Sequence, residues 1–123
     1  MTFSISFYFH FILSLAGFVM IGIYLCRGSW RNVLRAPWAL GLALISIGHL
    51  SGSQGTAWSI SFGITAVFLG LFYLRRISQK TYVPSEVRDG HNIFSILAGA
   101  ALFALIVQLH AVLFGVPVFQ ITR

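Results

Sequence analysis

Two histidines lie inside apolar segments of the chain, His49 in ISIGHLSGSQG and His110 in IVQLHAVLFGVPV. An ionisable side chain within a membrane span is costly enough to mark a functional site by default. Two imidazoles on different helices at matched depth are the arrangement a b-type haem needs, because each axial nitrogen approaches the iron from an opposite face. A third histidine, His10 in FYFHFILSLAG, is a further candidate for either place. The competing reading is structural: a ring that bonds a backbone carbonyl or a hydroxyl such as Ser14, Ser46 or Ser51.

The elements that must position these rings follow from composition. The chain has 123 residues, 58% hydrophobic and 8% charged, with a mean hydropathy of +0.89. A soluble domain carries roughly 25% charged residues, so this composition is that of a small integral membrane protein. Apolar runs cover about 3–25, 36–50, 57–74 and 93–114, separated by RGSWRNVLR, SGSQGT and RRISQKTYVPSEVRDGHN. Four transmembrane helices in one all-α domain are expected. Runs such as SILAGAALFALIV lack the alternation of a closed barrel. The second run is short, so its helix should tilt little or end within the interface. Nothing basic precedes the first apolar run, which is wrong for a secretory signal peptide.

Local signals sharpen the elements. Pro37 belongs in the first turn of the second helix, and Gly55 closes a tight turn between the second and third. Trp30, Trp38, Trp58, Tyr73 and Tyr82 fall near span ends, as interfacial aromatics do. Gly41, Ala43 and Gly48, and the cluster Ala98, Gly99, Ala100 and Ala101, would let the second and fourth spans pack closely on neighbours.

Charge sets the expected topology. Arg27, Arg31 and Arg35 occupy the first connection, and Arg75, Arg76, Lys80 and Arg88 the third; the second holds no charge. The positive-inside rule makes the side with these seven cations cytoplasmic and puts both termini outside, Arg123 dissenting. The formal charge of +6 then needs no nucleic acid, since cytoplasmic loops and anionic lipid headgroups account for it. His10 and His110 each come to lie ~10 Å into the outer leaflet at 1.5 Å per residue. His49 falls at the outer end of the second helix, and His91 is expected to be a solvated residue of the cytoplasmic loop. Cations to meet haem propionates are scarce on the outer side.

Other chemistries are excluded. Glu86 and Asp89 both lie in the third connection, so no carboxylate is available within a span. A proton-coupled exporter built on an embedded carboxylate, a di-iron carboxylate site, paired-carboxylate hydrolysis and a Ser-His-Asp triad all fail for want of it. The single cysteine, Cys26, permits no intrachain disulfide or cysteine-pair motif and reads as an apolar filler.

The run LRAPWALGLALISIGHLSGSQGTAWSISFG resembles the core of the NnrU family, which reads approximately R-H-P, an apolar helix, H-L-L-A-N-G-D, then a helix opening with F-G. His49, Leu50, Phe62 and Gly63 fall on that pattern. Leu109, His110, Leu113, Gly115 and Val116 fall on the family's closing L-H-P-W-L-x-G-V. The likeness covers about residues 35–118. Ala36 stands where the family has the histidine of R-H-P, Ser53, Gln54 and Gly55 where it has N-G-D, and Ala111 where it has proline. The resemblance implies a multi-pass protein of nitrite and nitric oxide metabolism, related to 15-cis-zeta-carotene isomerase, a haem b enzyme. Carried over, His49 and His110 would be the family histidines, with the polar cluster around them missing.

Three functional classes follow. One is a haem b protein with His110 and either His49 or His10 as axial ligands to the iron. A second is an accessory subunit of a larger redox, respiratory or photosynthetic complex of the bacterial inner membrane, partnered by other transmembrane subunits and lipids, and with a pigment or quinone left open. A third is a haem-dependent carotenoid or lipid isomerase. The accessory subunit, more binding protein than enzyme, and the haem-binding protein suit the size and the charge-free spans about equally, since a small subunit could also carry haem for electron transfer.

Overall fold

The computed structural model describes residues 5–52 and 55–114. They form five helices and, among the described residues, no strand: α1 Ile5–Leu25, α2 Ser29–Leu34, α3 Pro37–Gly52, α4 Thr56–Ile77 and α5 His91–Phe114. Three stretches, Phe7–Leu25, Thr56–Ile77 and His91–His110, are long and apolar enough to cross a membrane. The apolar part of α3, Pro37–Leu50, is shorter. All 16 residues of α3 reach about 24 Å at 1.5 Å each, against a hydrocarbon core of about 30 Å.

The four long helices stand in a row rather than a closed bundle. α1 packs on α3 on one side and α5 on the other, and α4 packs on the outer face of α3. Each neighbouring pair is antiparallel. Gly17 of α1 meets Gly41 of α3 while Ser14 meets Gly48; Gly22 of α1 meets Ser95 and Gly99 of α5 while Phe11 meets Phe103; Trp38 of α3 meets Phe72 of α4 while His49 meets Phe62.

Small residues make the inner crossings possible. A Cβ on Gly41 would stand 2.5 Å from the Gly17 carbonyl oxygen, and a Cβ on Gly99 would stand 2.5 Å from Val19 Cα. Neither backbone atom can yield, so only glycine permits these approaches. Ala36, Ala39 and Ala43 of the same segment are at most 5% exposed. Of the small residues expected to pack, Gly41, Ala43, Gly48 and Gly99 are buried, whereas Ala100 and Ala101 face outward.

The two basic connections run alongside each other in opposite directions. Arg35 Nη1 donates to the carbonyls of Ile77 (3.0 Å) and Gln79, with its guanidinium carbon 5.1 Å from the Tyr82 ring centroid. Asn32 accepts from the Ser85 backbone N–H (2.8 Å) and the Tyr82 hydroxyl, and donates to the Ser85 carbonyl. The Arg88 N–H donates to the Arg27 carbonyl (2.8 Å), and the Arg27 N–H donates to His91 Nδ1 (2.9 Å). Asn92 Oδ1 accepts from the Trp30 N–H, so a residue 62 positions away caps α2. Residues 78–90 are thus laced in sequence to 35, 32 and 27.

These bonds correct several expectations. RGSWRNVLR contains a helical turn, α2. His91 is not a solvated loop residue: it opens α5 two positions before the expected start and accepts a backbone N–H from the other connection. α4 continues to Ile77, three residues past the expected end, where Arg35 takes its terminal carbonyl. Arg35 itself has φ 61 and ψ −53, the centre of a tight turn closed by the Ala36 N–H on the Leu34 carbonyl. Pro37 does open α3, and Gly55, with φ 106, stands immediately before α4, while residues 53 and 54 of the expected turn lie outside the described residues.

The crossings predict an opposite response at two glycines. Gly99→Ala forces α5 off α1 and should cost about 1–3 kcal/mol of stability. Gly63 of α4, whose Cβ would meet nothing within 4 Å, should gain up to about 1 kcal/mol on Gly63→Ala from helix propensity alone. Thermal melting of the two variants in detergent micelles reads the difference.

Candidate functional site

The three candidate histidines come from three helices and meet at one cavity. His10 lies on α1, His49 on α3 and His110 on α5, and all three line a cavity of about 40 Å³ toward the helix ends remote from the basic connections. Phe7, Phe11, Phe18 and Phe103 form much of the remaining wall, with Ser14 as its only hydroxyl among the described residues. Phe103 of α5 lies edge-on to Phe11 of α1 at 5.0 Å between centroids, which ties α5 to α1 beside the void.

His49 is the best held of the three. Its ring lies between the His10 ring, 4.5 Å away by centroids, and Phe62 of α4, 4.9 Å away. Its Nδ1 stands 2.9 Å from the Ile45 carbonyl oxygen, one turn back on its own helix. A carbonyl only accepts, so Nδ1–H is the donor in this contact. Of the hydroxyls proposed as histidine partners, Ser46 instead donates to the Leu42 carbonyl, and the Ser51 side chain lies outside the described positions.

Ser14 is the residue that sequence patterning left in a minor role. Hydroxyls in apolar helices ordinarily bond the carbonyl four residues earlier. Ser46, Ser59, Ser61, Thr65 and Ser95 all do so here, at 2.8–3.1 Å. Ser14 is 5% exposed and its Oγ has no hydrogen-bond partner. A buried hydroxyl left unpaired costs free energy, and Ser14 is among the residues that line the histidine cavity. The signal available in the sequence was its position, one helical turn after His10.

The void limits what can bind as the helices stand. Cofactor pockets run to roughly 300–1,000 Å³, so about 40 Å³ does not admit a porphyrin. Two axial nitrogens on one metal, each at about 2.0–2.1 Å, stand ~4 Å apart with the rings extending away on either side. His10 and His49, at 4.5 Å between ring centroids, leave no layer for a macrocycle between them. Among the described residues, no group of three or more histidine, cysteine or acidic side chains could hold a metal ion. The fourth histidine, His91, is remote from this site and belongs to the basic end.

Comparison with protein-family models, with curated proteins and with solved structures gives no match for this chain.

That geometry separates two serines. Ser14→Ala removes an unpaired buried hydroxyl and should leave the ligand-free protein as stable or up to about 1–3 kcal/mol more stable. Ser46→Ala deletes a made bond and should cost about 0.5–1.5 kcal/mol. Parallel melting curves check the sign; marked destabilisation by Ser14→Ala would show that its hydroxyl is bonded.

Proposed function

We propose that this protein is a four-span accessory subunit of a bacterial inner membrane, seated against a transmembrane helix of a larger redox, respiratory or photosynthetic complex through the open side of α4. The basic connections face the cytoplasm, and both termini and the histidine cavity lie toward the outer side.

The observation that carries this reading is the state of α4. None of its 22 residues is buried, although it is long and apolar enough to cross a membrane. It carries two pairs of small residues four apart, Ser59 with Gly63 and Ala66 with Gly70. A Cβ on either glycine would meet nothing within 4 Å. Lipid tails do not require such notches. Helices do, because association in a bilayer rests on close van der Waals packing where small residues let backbones approach. Membership of the NnrU family is part of the same proposal, supported by the position of its two matched histidines, His49 and His110, on one cavity.

Two measurements test the proposal. In a Cys26→Ser background, a membrane-impermeant thiol reagent added to intact cells should label Thr56→Cys and leave Gln79→Cys untouched until the membrane is opened; the reverse pattern inverts the topology. Native electrophoresis of mild-detergent extracts from the native membrane should place the 13.6 kDa chain in a larger heteromeric band. Gly63→Leu combined with Gly70→Leu should release it from that band with its helicity intact. A wild-type chain extracted as a monomer, or as a dimer of itself alone, overturns the subunit reading.

A further inference from the structure

We propose that the apolar groove between α1, α2 and α5 holds an acyl chain of one anionic phospholipid, whose phosphate is met by Arg31 and Arg27 of the first connection. The site lies at the basic end of the row. It depends neither on the role assigned to α4 nor on which face of the membrane that end occupies.

The groove follows from how α2 is held. Its spacing puts Trp30, Val33 and Leu34 on one apolar face and Asn32 on the opposite one. Asn32 is bound to Ser85 and Tyr82, and the Trp30 N–H to Asn92, so the turn is fixed in orientation from its polar side. None of its residues is buried, and Val33 is 70% exposed. The apolar face borders a groove of about 350 Å³, whose other walls are Val19, Met20 and Ile23 of α1 and Ile96 of α5. That volume lies in the roughly 300–1,000 Å³ range of ligand sites. The lining has no carboxylate, amide or hydroxyl side chain among the described residues, so the site suits hydrocarbon and not water. Val19 lies six residues before the end of α1, about 9 Å along the helix, so the groove reaches from the level of the connection into the span.

The charge beside the groove specifies the headgroup. The first connection carries Arg27, Arg31 and Arg35 and no carboxylate. Arg35 is committed to the carbonyls of Ile77 and Gln79 and to the Tyr82 ring. Arg31 follows Trp30 on α2, with its guanidinium carbon 5.1 Å from the ring centroid of Tyr24, the neighbour of Ile23. Contact with a ring face holds a guanidinium while its in-plane N–H donors can still take two phosphate oxygens at once. Seven cations gather at this end of the row against Glu86 and Asp89. A second copy of the chain brings no acidic surface to match them, because those two carboxylates are its whole supply and sit among the same cations. An anionic phospholipid joins the anion and the hydrocarbon in one molecule.

Fluorescence quenching tests the site. Trp38→Phe with Trp58→Phe leaves Trp30, on the groove wall, as the sole indole of the full chain. In phosphatidylcholine nanodiscs, phosphatidylglycerol with brominated acyl chains should quench Trp30 saturably, as one site does. Brominated phosphatidylcholine at equal mole fraction should quench only in proportion to its share of the bilayer. A cation near an anionic surface favours association by about fivefold, so Arg31→Gln should weaken the preference by about that factor. Arg27→Gln combined with Arg31→Gln should abolish it with unchanged circular dichroism, and Arg31→Lys should keep most of it. Equal quenching by the two brominated lipids makes the groove an ordinary lipid-facing surface and overturns the proposal. So does a preference that survives the double glutamine variant, and so does an absence of quenching by either lipid, which would mean that a protein fills the groove. If a glutamine variant loses its fold, the parent chain decides. Its preference should vanish at about 1 M salt, where charges are screened beyond about 3 Å, and a preference indifferent to salt overturns the proposal.

Discussion

Everything in this molecule depends on how closely α1 approaches its two neighbours. Lipid tails are as apolar as leucine, so burying apolar surface between helices in a bilayer contributes little, and cohesion comes from backbone proximity and interhelical polar bonds. The pairs Gly17 with Gly41 and Gly22 with Gly99 allow that proximity on both sides of one helix. α1 can therefore serve as the spine of an open row, and the residues brought together on its length are those that the two crossings set in register. His10 reaches His49 because Gly17 and Gly41 fix the sliding of α3, and Phe11 reaches Phe103 because Gly22 and Gly99 fix that of α5.

The row also dictates the length of the last connection. α4 and α5 are consecutive in the chain but occupy opposite ends of the row, so the connection must pass beneath α3 and α1. Three interaxial steps of 8–10 Å come to about 24–30 Å. The irregular segment 78–90 can cover that distance without being fully stretched. It does so along the first connection, which offers it Arg35, Asn32 and Arg27 in order. The cations gathered at this end thus serve partly as structure: Arg35 holds carbonyls of α4 and stacks on Tyr82, and Arg31 lies 5.1 Å over the Tyr24 ring.

Much of this plan could be read from residue types because membrane helices obey few rules. Four apolar runs, the Pro37 start, the Gly55 turn and the collection of basic residues at one end all follow from local composition, and the described helices agree with them. What escaped is what depends on partners distant in sequence. α2 is six residues long, too short to declare itself by periodicity, and its cap comes from Asn92. His91 looks like any polar loop residue until Arg27 is placed beside it. The order of helices in the row is decided by which glycine meets which, and small residues such as Ala100 that face outward carry the same composition as those that pack. His10, His49 and His110 could be matched in depth, but whether they share a void depends on that order.

The lacing of the two connections exists at one end of the row only, and it sets where the row can move. α5 is tied at its first turn through His91 and Asn92, and beyond that, among the described residues, it packs chiefly on α1. His110 lies 19 residues from that tether, a lever of about 28 Å at 1.5 Å per residue. A rocking of α5 about its laced end displaces Ser95 least and His110 most. The helix that closes one side of the histidine cavity is therefore held at the end remote from that cavity by bonds to the first connection, and near the cavity by side-chain packing.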